Sequence, residues 1–431
     1  MEVTQVKRII RPWVAIAAVF MVVATACGGG KEKQQTAPKG TQFAGTSITF
    51  STSLAETEEP AVRQLLDQFA QQTGATVKIA SITSQDLPQK LKVEVNSGKH
   101  TVHLFAQDNL ALAVLVEDGL VEDLSSVKLP TGVNPALIPE KFGGKQYFLP
   151  YRPNVRIAYV NTDRFQSAQV SPPRTTDELL SVAQKLKTTA QGQPKITLSL
   201  EGPSGAAGVT ISEWIVSYGG NPLLLNDPGS VQAFQFLQNM WKQGLIAKES
   251  LLAKYDTEID NLRGETAWFA QNWPFTTAEL AKQGLLEKFQ VYEGYRGPVR
   301  AAHVIGGEVL GVPKGVTGKE KEAAIALAQF LMSKPAQEVL AAKNAWPSVR
   351  TDAYAQVPAD QKSTFQAINT ALQSGWYRPN VIYWSDVQDA INEAVRRVIV
   401  RGESVESTLT ELHDQIAKAA QDKGAEYPPT S

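Results

Sequence analysis

The stretch from Lys145 to Asn161 constrains the fold of this chain more than any other. It reads KQYFLPYRPNVRIAYVN and contains two apolar runs typical of buried strands, separated by the polar elbow Arg152-Pro153-Asn154. Pro150 and Pro153 fix their own φ and push each preceding residue towards extended geometry, so the elbow cannot be helical. A strand that leaves one core, bends and enters another is one way to join two lobes. The stretch therefore predicts a hinge between two lobes.

Length and composition agree with two cores. The chain has 431 residues, which is long for one typical domain. Its 43% of hydrophobic and 20% of charged residues are ordinary for a globular protein. The net charge of -1 gives no electrostatic reason to expect a nucleic-acid partner. We find no internal repeats.

The N-terminus predicts export. Positive residues precede the apolar run from Trp13 to Ala24, which is shorter than the roughly 20 residues that span a bilayer, and small residues follow it. The junction ending at Cys27 resembles a bacterial lipobox, although Ala24 stands where leucine is most common. This resemblance implies a signal peptide over 1–26 and lipid attachment at Cys27. Residues 27–45 are polar and predict a flexible tether.

Cys27 is also the only cysteine, so disulfides and cysteine catalysis are excluded for the rest of the chain.

Strands and helices alternate after the tether. Apolar runs predict strands at 48–50, 77–82 and 101–105, with helices at 61–74, 86–96 and 108–117 between them. This order predicts βαβ units and a mostly parallel sheet. Ligands of such sheets bind outside the carboxyl ends of the strands. Those ends carry polar residues at 51–58, 83–86 and 107–109, which could hydrogen-bond a neutral ligand.

The alternation restarts beyond the elbow. We predict strands at 195–200, 267–272 and 303–313, the last broken by two glycines, and a further extended segment at 346–350. The chain ends in two amphipathic helices, whose apolar faces include Val387 and Val405. The fold class is therefore α/β, with a mostly parallel, helix-flanked sheet in each lobe.

Catalytic and metal-binding motifs are missing from the sequence. No HExxH motif occurs, and His100 and His103 have no nearby carboxylate, which favours packing over metal ligation. The glycine-rich loop 202–208 lacks the Lys-Ser/Thr pair of a phosphate-binding P-loop, and it is open whether this turn lines a ligand site. The glutamates at 56, 58 and 59 favour a helix N-terminus over a glycosidase pair. We predict no enzyme, no metal and no cofactor.

Two tryptophans favour a sugar ligand. Trp273 and Trp346 each precede a proline, at turns where an aromatic ring can face a cleft. Sugars have apolar C–H faces rimmed by hydroxyls, so their sites combine flat aromatic rings with planar polar groups. For each tryptophan alone, core packing is an equally good interpretation. Together with the polar strand ends, the pair favours a cleft.

The sequence resembles the extracellular solute-binding lipoproteins of bacterial ABC importers, in particular the maltose- and trehalose-binding type of family 1. The resemblance runs from about Thr46 to the C-terminus. The matching segments, each weak alone but specific in their order and spacing, are 61–74 with its following strand, 119–124, 144–151, 157–161, 241–245, 272–275, 306–315 and 347–350.

This resemblance implies a two-lobe fold crossed three times by the chain, with the ligand between the lobes. The implied crossings lie near 151–155, 304–307 and 348–351. The implied first lobe covers 46–152 and 306–349, and the second covers 153–305 and 350–431. The residues implied to face the ligand are Glu56, Glu58, Gln85, Asp108, Asn109, Arg152, Asn154, Trp273, Gly307, Glu308, Trp346 and Arg350. The family often has an acidic residue where Asn154 stands.

The function that follows is capture of a sugar, such as a di- or oligosaccharide related to trehalose or maltose. A monomer anchored by lipid to the outer face of the membrane would deliver it to a permease with a cytoplasmic ATPase. The alternatives are a secreted glycoside hydrolase, a binding protein for a non-sugar solute such as an amino acid or polyamine, and a sensor lipoprotein.

Overall fold

The computed structural model describes residues 40–54, 56, 58–109 and 112–428. The predicted signal peptide, Cys27 and most of the tether lie outside these residues. The first half of the described chain forms β1 Ser47–Ser51, α1 Glu59–Thr73, β2 Thr76–Ala80, α2 Leu87–Ser97, β3 Leu104–Asp108, α3 Leu112–Glu117, β4 Leu149–Val155, β5 Ile157–Asn161, α4 Thr162–Ser167, α5 Thr176–Thr189, α6 Ala206–Ser217 and α7 Pro228–Lys242.

The second half continues the alternation of helices and strands. Its elements are α8 Tyr255–Arg263, β6 Phe269–Asn272, α9 Phe275–Lys282, β7 Phe289–Tyr292, β8 His303–Gly311, α10 Gly318–Leu331, α11 Lys334–Asn344, α12 Lys362–Gln373, β9 Gly375–Tyr377, α13 Trp384–Ala394 with a π-helical continuation over Val395–Val400, and α14 Val405–Asp422. None of the helices in the described ranges is both long and apolar enough to cross a membrane.

The larger sheet has the order β2-β1-β3-β8-β4, and β9 pairs with β8. β1 is parallel to β2 and β3, and β8 is parallel to β9. The pairings of β8 with β3 and β4 are antiparallel. Helices α1, α10 and α11 pack on one face, where Phe50, Leu66 and Leu327 are buried. The prediction of a mostly parallel sheet is confirmed for this part of the molecule.

The smaller sheet differs from the prediction. Its order is β6-β5-β7, and both pairings are antiparallel. The predicted parallel strand at 195–200 forms only isolated bridges at Ile196. The reason is that its backbone bonds elsewhere: the N–H of Leu198 donates to Ser250 Oγ and that of Leu200 donates to Ser250 O. Helices α5, α6, α7, α13 and α14 cover this sheet with a second core, which buries Val387 and Val405 as predicted.

The boundaries of β3 also differ from the predicted strand at 101–105. Residues 101–103 precede the strand, and the strand extends to Asp108 instead of yielding to a helix there. The carboxylate of Glu94 on α2 accepts hydrogen bonds from Thr101 Oγ1 and from the N–H of Val102. These bonds engage residues 101 and 102 outside the sheet, whereas the N–H of His103 already donates to the carbonyl of Thr49 on β1. Asp108 is thereby the last residue of a central strand.

The elbow Arg152-Pro153-Asn154 is part of β4, and the chain changes sheets at Arg156 instead. β4 pairs with β8 as far as Val155, and β5 begins at Ile157 in the smaller sheet. An irregular register between Pro150 and Arg152 accommodates the first proline. Gly307 lies opposite the second proline, Pro153, in the pairing of β4 with β8. Its φ is +92°, and a Cβ there would lie 2.0 Å from the carbonyl oxygen of Arg152. Only glycine fits such an approach.

Two observations bear on the implied lobe boundaries. β4 stays in the larger sheet past residue 152, and β9 joins the larger sheet although it belongs to the stretch implied for the second lobe. The extended segment before Arg350 forms no ladder in the described structure, and Arg350 makes a single bridge with Val133.

Candidate functional site

A cavity of about 880 Å³ lies at the carboxyl ends of the parallel strands. One wall comes from the larger sheet and its loops, and it is polar. The other wall comes from elements around the smaller sheet and carries the aromatic rings. The lining residues are Ser53, Thr83, Ser84, Gln85, Pro88, Asp108, Val114, Arg152, Asn154, Pro203, Ser204, Gly205, Val209, Tyr255, Trp273, Gly306, Gly307, Glu308, Arg378 and Gln388.

Three charged side chains form a row across the larger sheet. Asp108 on β3 is in register with Glu308 on β8, and Glu308 is in register with Arg152 on β4. Directly opposite residues of neighbouring strands have side chains close enough to interact. All three line the cavity. Asp108 and Glu308 are 200 positions apart along the chain, and the sheet makes them neighbours.

Arg152 is held from behind by two residues. Its Nη2 donates to Glu58 Oε1 at 2.8 Å, and its guanidinium carbon lies 3.9 Å from the centre of the Trp346 ring. Trp346 Nε1 donates to the same glutamate oxygen at 2.8 Å. Trp346 is buried in the core of the larger sheet. Glu58 and Trp346 therefore position Arg152 and do not themselves line the cavity.

Trp273 and Tyr255 form the aromatic part of the second wall. Their ring centres are 5.6 Å apart at an interplanar angle of 75°, an edge-to-face pair. Asn272 fixes both, since its Oδ1 accepts from the N–H of Trp273 and its Nδ2 donates to the carbonyl of Tyr255. The indole reaches the larger sheet at Gly306, where a Cβ would lie 2.6 Å from the ring.

Arg378 brings a second guanidinium to the cavity, in addition to that of Arg152. It follows β9, is only 5% exposed, and its Nε has no hydrogen-bond partner. Burial lowers the pKa of Arg378, while the charges of Asp108 and Glu213 oppose that shift. A buried donor without a partner, in the wall of a cavity, can bond a ligand oxygen without first giving up another contact.

A buried ion pair lies behind Arg378. Arg156 Nη1 donates to Glu213 Oε2 on α6 at 2.9 Å and to Thr210 Oγ1 at 2.9 Å, and Nη2 donates to the carbonyl of Gln271. Glu213 Oε1 accepts from the N–H of Val304 at 3.0 Å. Burial raises the pKa of Glu213, and the charge of Arg156 opposes this shift.

The residues predicted to face the ligand divide into two groups. Those that line the cavity together are Gln85, Asp108, Arg152, Asn154, Trp273, Gly307 and Glu308. Those outside the lining are Glu56, Glu58, Asn109, Trp346 and Arg350.

Most of the second group have structural contacts. Asn109 donates from Nδ2 to the carbonyl of Ile305 and from its N–H to that of Gly307, which ties it to β8. Arg350 pairs with Asp352 and donates to the carbonyl of Thr131. Glu56 is exposed.

Sequence reasoning missed Tyr255, Arg378 and Gln388 on the second wall. One signal was available for Arg378, because the pentapeptide Tyr-Arg-Pro-Asn-Val occurs at 151–155 and again at 377–381. The statement that the chain has no internal repeats was therefore wrong. Both copies contribute an arginine to the cavity. For the glycine-rich loop, the structure favours the ligand-lining interpretation, since Pro203, Ser204 and Gly205 line the cavity.

The cavity is suited to binding and not to metal chemistry. Among the residues that the structure describes, no group of His, Cys, Asp or Glu could hold a metal ion. Burial raises the pKa of Glu308 to about 7, and the charge of Arg152 only partly offsets this. Aromatic faces, guanidinium groups, carboxylates and amides together can grip a polyhydroxyl ligand on its faces and edges.

The family model described as bacterial extracellular solute-binding protein matches residues 64–367. The chain belongs to this family, whose members bind solutes for ABC transporters and are not enzymes. A comparison with curated protein sequences gives no match.

Solved structures of binding proteins share the two-lobe fold. The maltose-bound MalE3 of T. maritima is 21% identical, with 86% of this chain and 99% of that chain covered and a TM-score of 0.73. The cyclic α-maltosyl-1,6-maltose binding protein of Arthrobacter globiformis is 19% identical, with 88% and 99% covered and a TM-score of 0.76. The sugar-binding protein MalE of Xanthomonas citri is 17% identical, with 88% and 98% covered and a TM-score of 0.77.

Proposed function

We propose that this protein captures a sugar in the cavity between its two sheets and delivers it to the permease of an ABC importer. The observation that carries the proposal is the composition of the cavity wall. The rings of Trp273 and Tyr255 offer apolar faces, while Asp108, Asn154 and Arg378 offer planar hydrogen-bonding groups. This combination matches the apolar faces and hydroxyl rims of a pyranose.

The three structural relatives give independent support for a sugar. The first holds maltose, the second is a binding protein for cyclic α-maltosyl-1,6-maltose, and the third is a sugar-binding protein. Identities of 17–21% establish a shared fold only. We propose a di- or oligosaccharide, because the volume of about 880 Å³ lies in the upper part of the range for small-molecule sites.

The rival solutes are amino acids and polyamines, which carry ionised amino or carboxylate groups. The test is calorimetric titration of the purified protein with maltose, trehalose and maltotriose, in parallel with glutamate, arginine and spermidine. We expect at least one neutral sugar to bind with micromolar affinity, about -8 kcal/mol, which a permease can still release. Binding of the charged solutes without any sugar would contradict the proposal.

We further propose that Cys27 anchors the protein by lipid on the outer face of the membrane, as a monomer. The lipobox-like junction and the polar tether over 27–45 support the anchor. Labelling of growing cells with a radioactive fatty acid should mark the wild-type protein, while Cys27→Ser should remain unlabelled and appear in the medium or periplasm. A labelled Cys27→Ser protein would contradict the anchor, and light scattering tests the monomer.

A further inference from the structure

The charges around the cavity do not balance. The guanidinium groups at the wall or directly behind it belong to Arg152, Arg156 and Arg378, and the carboxyl groups there belong to Glu58, Asp108, Glu213 and Glu308. Three positive charges therefore face four potential negative charges. Glu201, which accepts from the N–H of Ser204, adds another carboxylate beside the wall. No lysine or histidine lines the cavity within the described chain.

The arginines have their closest contacts with carboxylates other than Glu308. Arg152 donates to Glu58 at 2.8 Å, and Arg156 donates to Glu213 at 2.9 Å. The negative charges of Asp108 and Glu213 stabilise the positive charge of Arg378. The nearest cation to Glu308 is Nη1 of Arg152, at 3.9 Å, beyond hydrogen-bond distance.

Glu308 therefore lacks a hydrogen-bond donor at Oε2 within the described residues. Its Oε2 is shielded from solvent and has no hydrogen-bond partner, and the whole side chain is 13% exposed. A raised pKa of about 7 is the expected response of a buried, incompletely paired acid. Closure of the two lobes over a ligand would remove the remaining water. A charge buried without compensation then costs several kcal/mol, unless the ligand supplies a positive group.

We propose that the site selects an aminated sugar, whose protonated amino group donates a hydrogen bond to Oε2 of Glu308. This inference rests on the proposed sugar-binding function and narrows its substrate class. The ammonium group adds a fourth positive charge to the three guanidinium groups and reduces the excess of carboxyl groups around the cavity. Asp108, the register neighbour of Glu308 on β3, adds a second favourable charge.

Trp273 strengthens the same preference. Its indole packs over Gly306, two residues before Glu308, and both residues line the cavity. A cation near the face of an indole ring is attracted by the ring's quadrupole. An ammonium group held by Glu308 in this cavity is therefore close to an aromatic surface, and a hydroxyl group in its place gains neither charge interaction.

The test uses pairs of sugars that differ only by a 2-amino for a 2-hydroxyl group. Glucosamine is compared with glucose, and chitobiose, the unacetylated β-1,4 disaccharide of glucosamine, with cellobiose, by calorimetry at about pH 7, where about half of Glu308 is ionised before the ligand binds. We expect the amino member of at least one pair to bind about 10–100-fold more tightly, the range for a hydrogen bond to a charged group. Amino sugars that bind no more tightly than their hydroxyl counterparts would overturn the inference.

The neutral-sugar titrations described above distinguish failure of the amino-sugar inference from failure of the proposed sugar-binding function. If maltose, trehalose or maltotriose binds but amination gives no advantage, the sugar-binding function stands and the inference fails. If no sugar of either set binds, both fail. Net proton uptake on binding of a neutral sugar, absent in Glu308→Gln, would also overturn the inference, because Glu308 would then be neutralised by a proton and not by the ligand.

Glu308→Gln assigns the effect to the residue, because it removes the charge and keeps the shape. We expect this variant to lose the preference for amino sugars, so that the amino and hydroxyl members of a pair bind to it with affinities within about threefold of each other. The matched control is Glu249→Gln, which removes an exposed carboxylate that is not part of the cavity lining and should keep the preference. A preference that survives in folded Glu308→Gln, with folding checked by its thermal melt, would contradict the assignment.

Discussion

The same five residues, Tyr-Arg-Pro-Asn-Val, adopt two different structures in this molecule. At 151–155 they form a strand paired with β8, whereas at 377–381 only the tyrosine belongs to a strand. Arg152 bonds Glu58 and stacks on Trp346, while the Nε of the more deeply buried Arg378 has no partner. The strand partner and the neighbouring carboxylates therefore decide the local structure, and the pentapeptide alone does not.

The comparison also separates two roles. Arg152 is already committed to Glu58, so it contributes shape and charge to the cavity wall. The Nε of Arg378 has no partner among the described residues and can donate a hydrogen bond to a ligand. We therefore expect the second copy of the pentapeptide to contribute more to ligand affinity and the first more to the folded wall.

The largest expected effect is on the ion pair behind Arg378. Arg156→Met leaves Glu213 buried without its main partner, and we expect a loss of about 3–5 kcal/mol in the free energy of unfolding, measured by urea denaturation. The double variant Arg156→Met/Glu213→Leu removes both charges and should recover part of this loss. A single variant within about 1 kcal/mol of wild type would show that Arg378 and its surroundings do not depend on the pair.

The two arginines can be compared directly. Arg378→Met should weaken binding of a neutral sugar by about 1.5–3 kcal/mol, since it removes a charged donor that has no other partner at Nε. Arg152→Met should weaken it less, because its guanidinium already donates to Glu58. Titration calorimetry of both variants checks the order. Equal losses would remove the distinction between the two copies.

The tryptophan neighbours of the arginines give a similar contrast. Trp273→Ala should cost about 1–3 kcal/mol in sugar affinity and leave the fold intact, the size expected for an aromatic anchor. Trp346→Phe, which loses the hydrogen bond to Glu58, should mainly lower stability, by about 1 kcal/mol. Unchanged affinity in Trp273→Ala would remove that ring from the site.

The last comparison concerns the effect of pH on stability. The pKa of Glu308 is about 7 in the folded protein and 4.5 without its surroundings, so the folded state retains the proton to higher pH. Its contribution to stability is therefore fully present below about pH 4.5 and is lost as the pH rises through 7. Glu308→Gln should be more stable than wild type at pH 8, by about 1–2 kcal/mol, and near equal at pH 4.5.

Melting curves across this pH range give the measurement, with Glu249→Gln as control. A gain at pH 8 that also appears in the control would indicate a general charge effect. The absence of any gain would mean that Arg152 compensates Glu308 fully in spite of its bond to Glu58.

The polar wall of the cavity could be predicted from the sequence, and the aromatic wall only in part. Apolar strands followed by polar residues indicated Gln85, Asp108 and their neighbours, because parallel strands end at the same edge. Tyr255 is the first residue of α8 and Gln388 lies within α13. No local pattern distinguishes such residues from other helix residues, since their position depends on how distant helices pack.

The two Trp-Pro motifs illustrate a limit of local sequence. Trp273 and Trp346 both precede proline, and both were predicted to face the ligand. One lines the cavity and the other is buried beneath Arg152. The difference depends on Glu58, far away in sequence, whose Oε1 accepts from both the indole and the guanidinium. The implied lobe boundaries stay predictions.

The buried carboxylate of Glu213 has a mechanical consequence. One of its oxygens holds Arg156, the single residue between β4 and β5, and the other holds the N–H of Val304, near the start of β8. These are two places where the chain passes between the sheets. Because one carboxylate on α6 bonds to both, we expect the two passages to twist together. Movement of one sheet against the other would then be a single rotation in place of several independent ones.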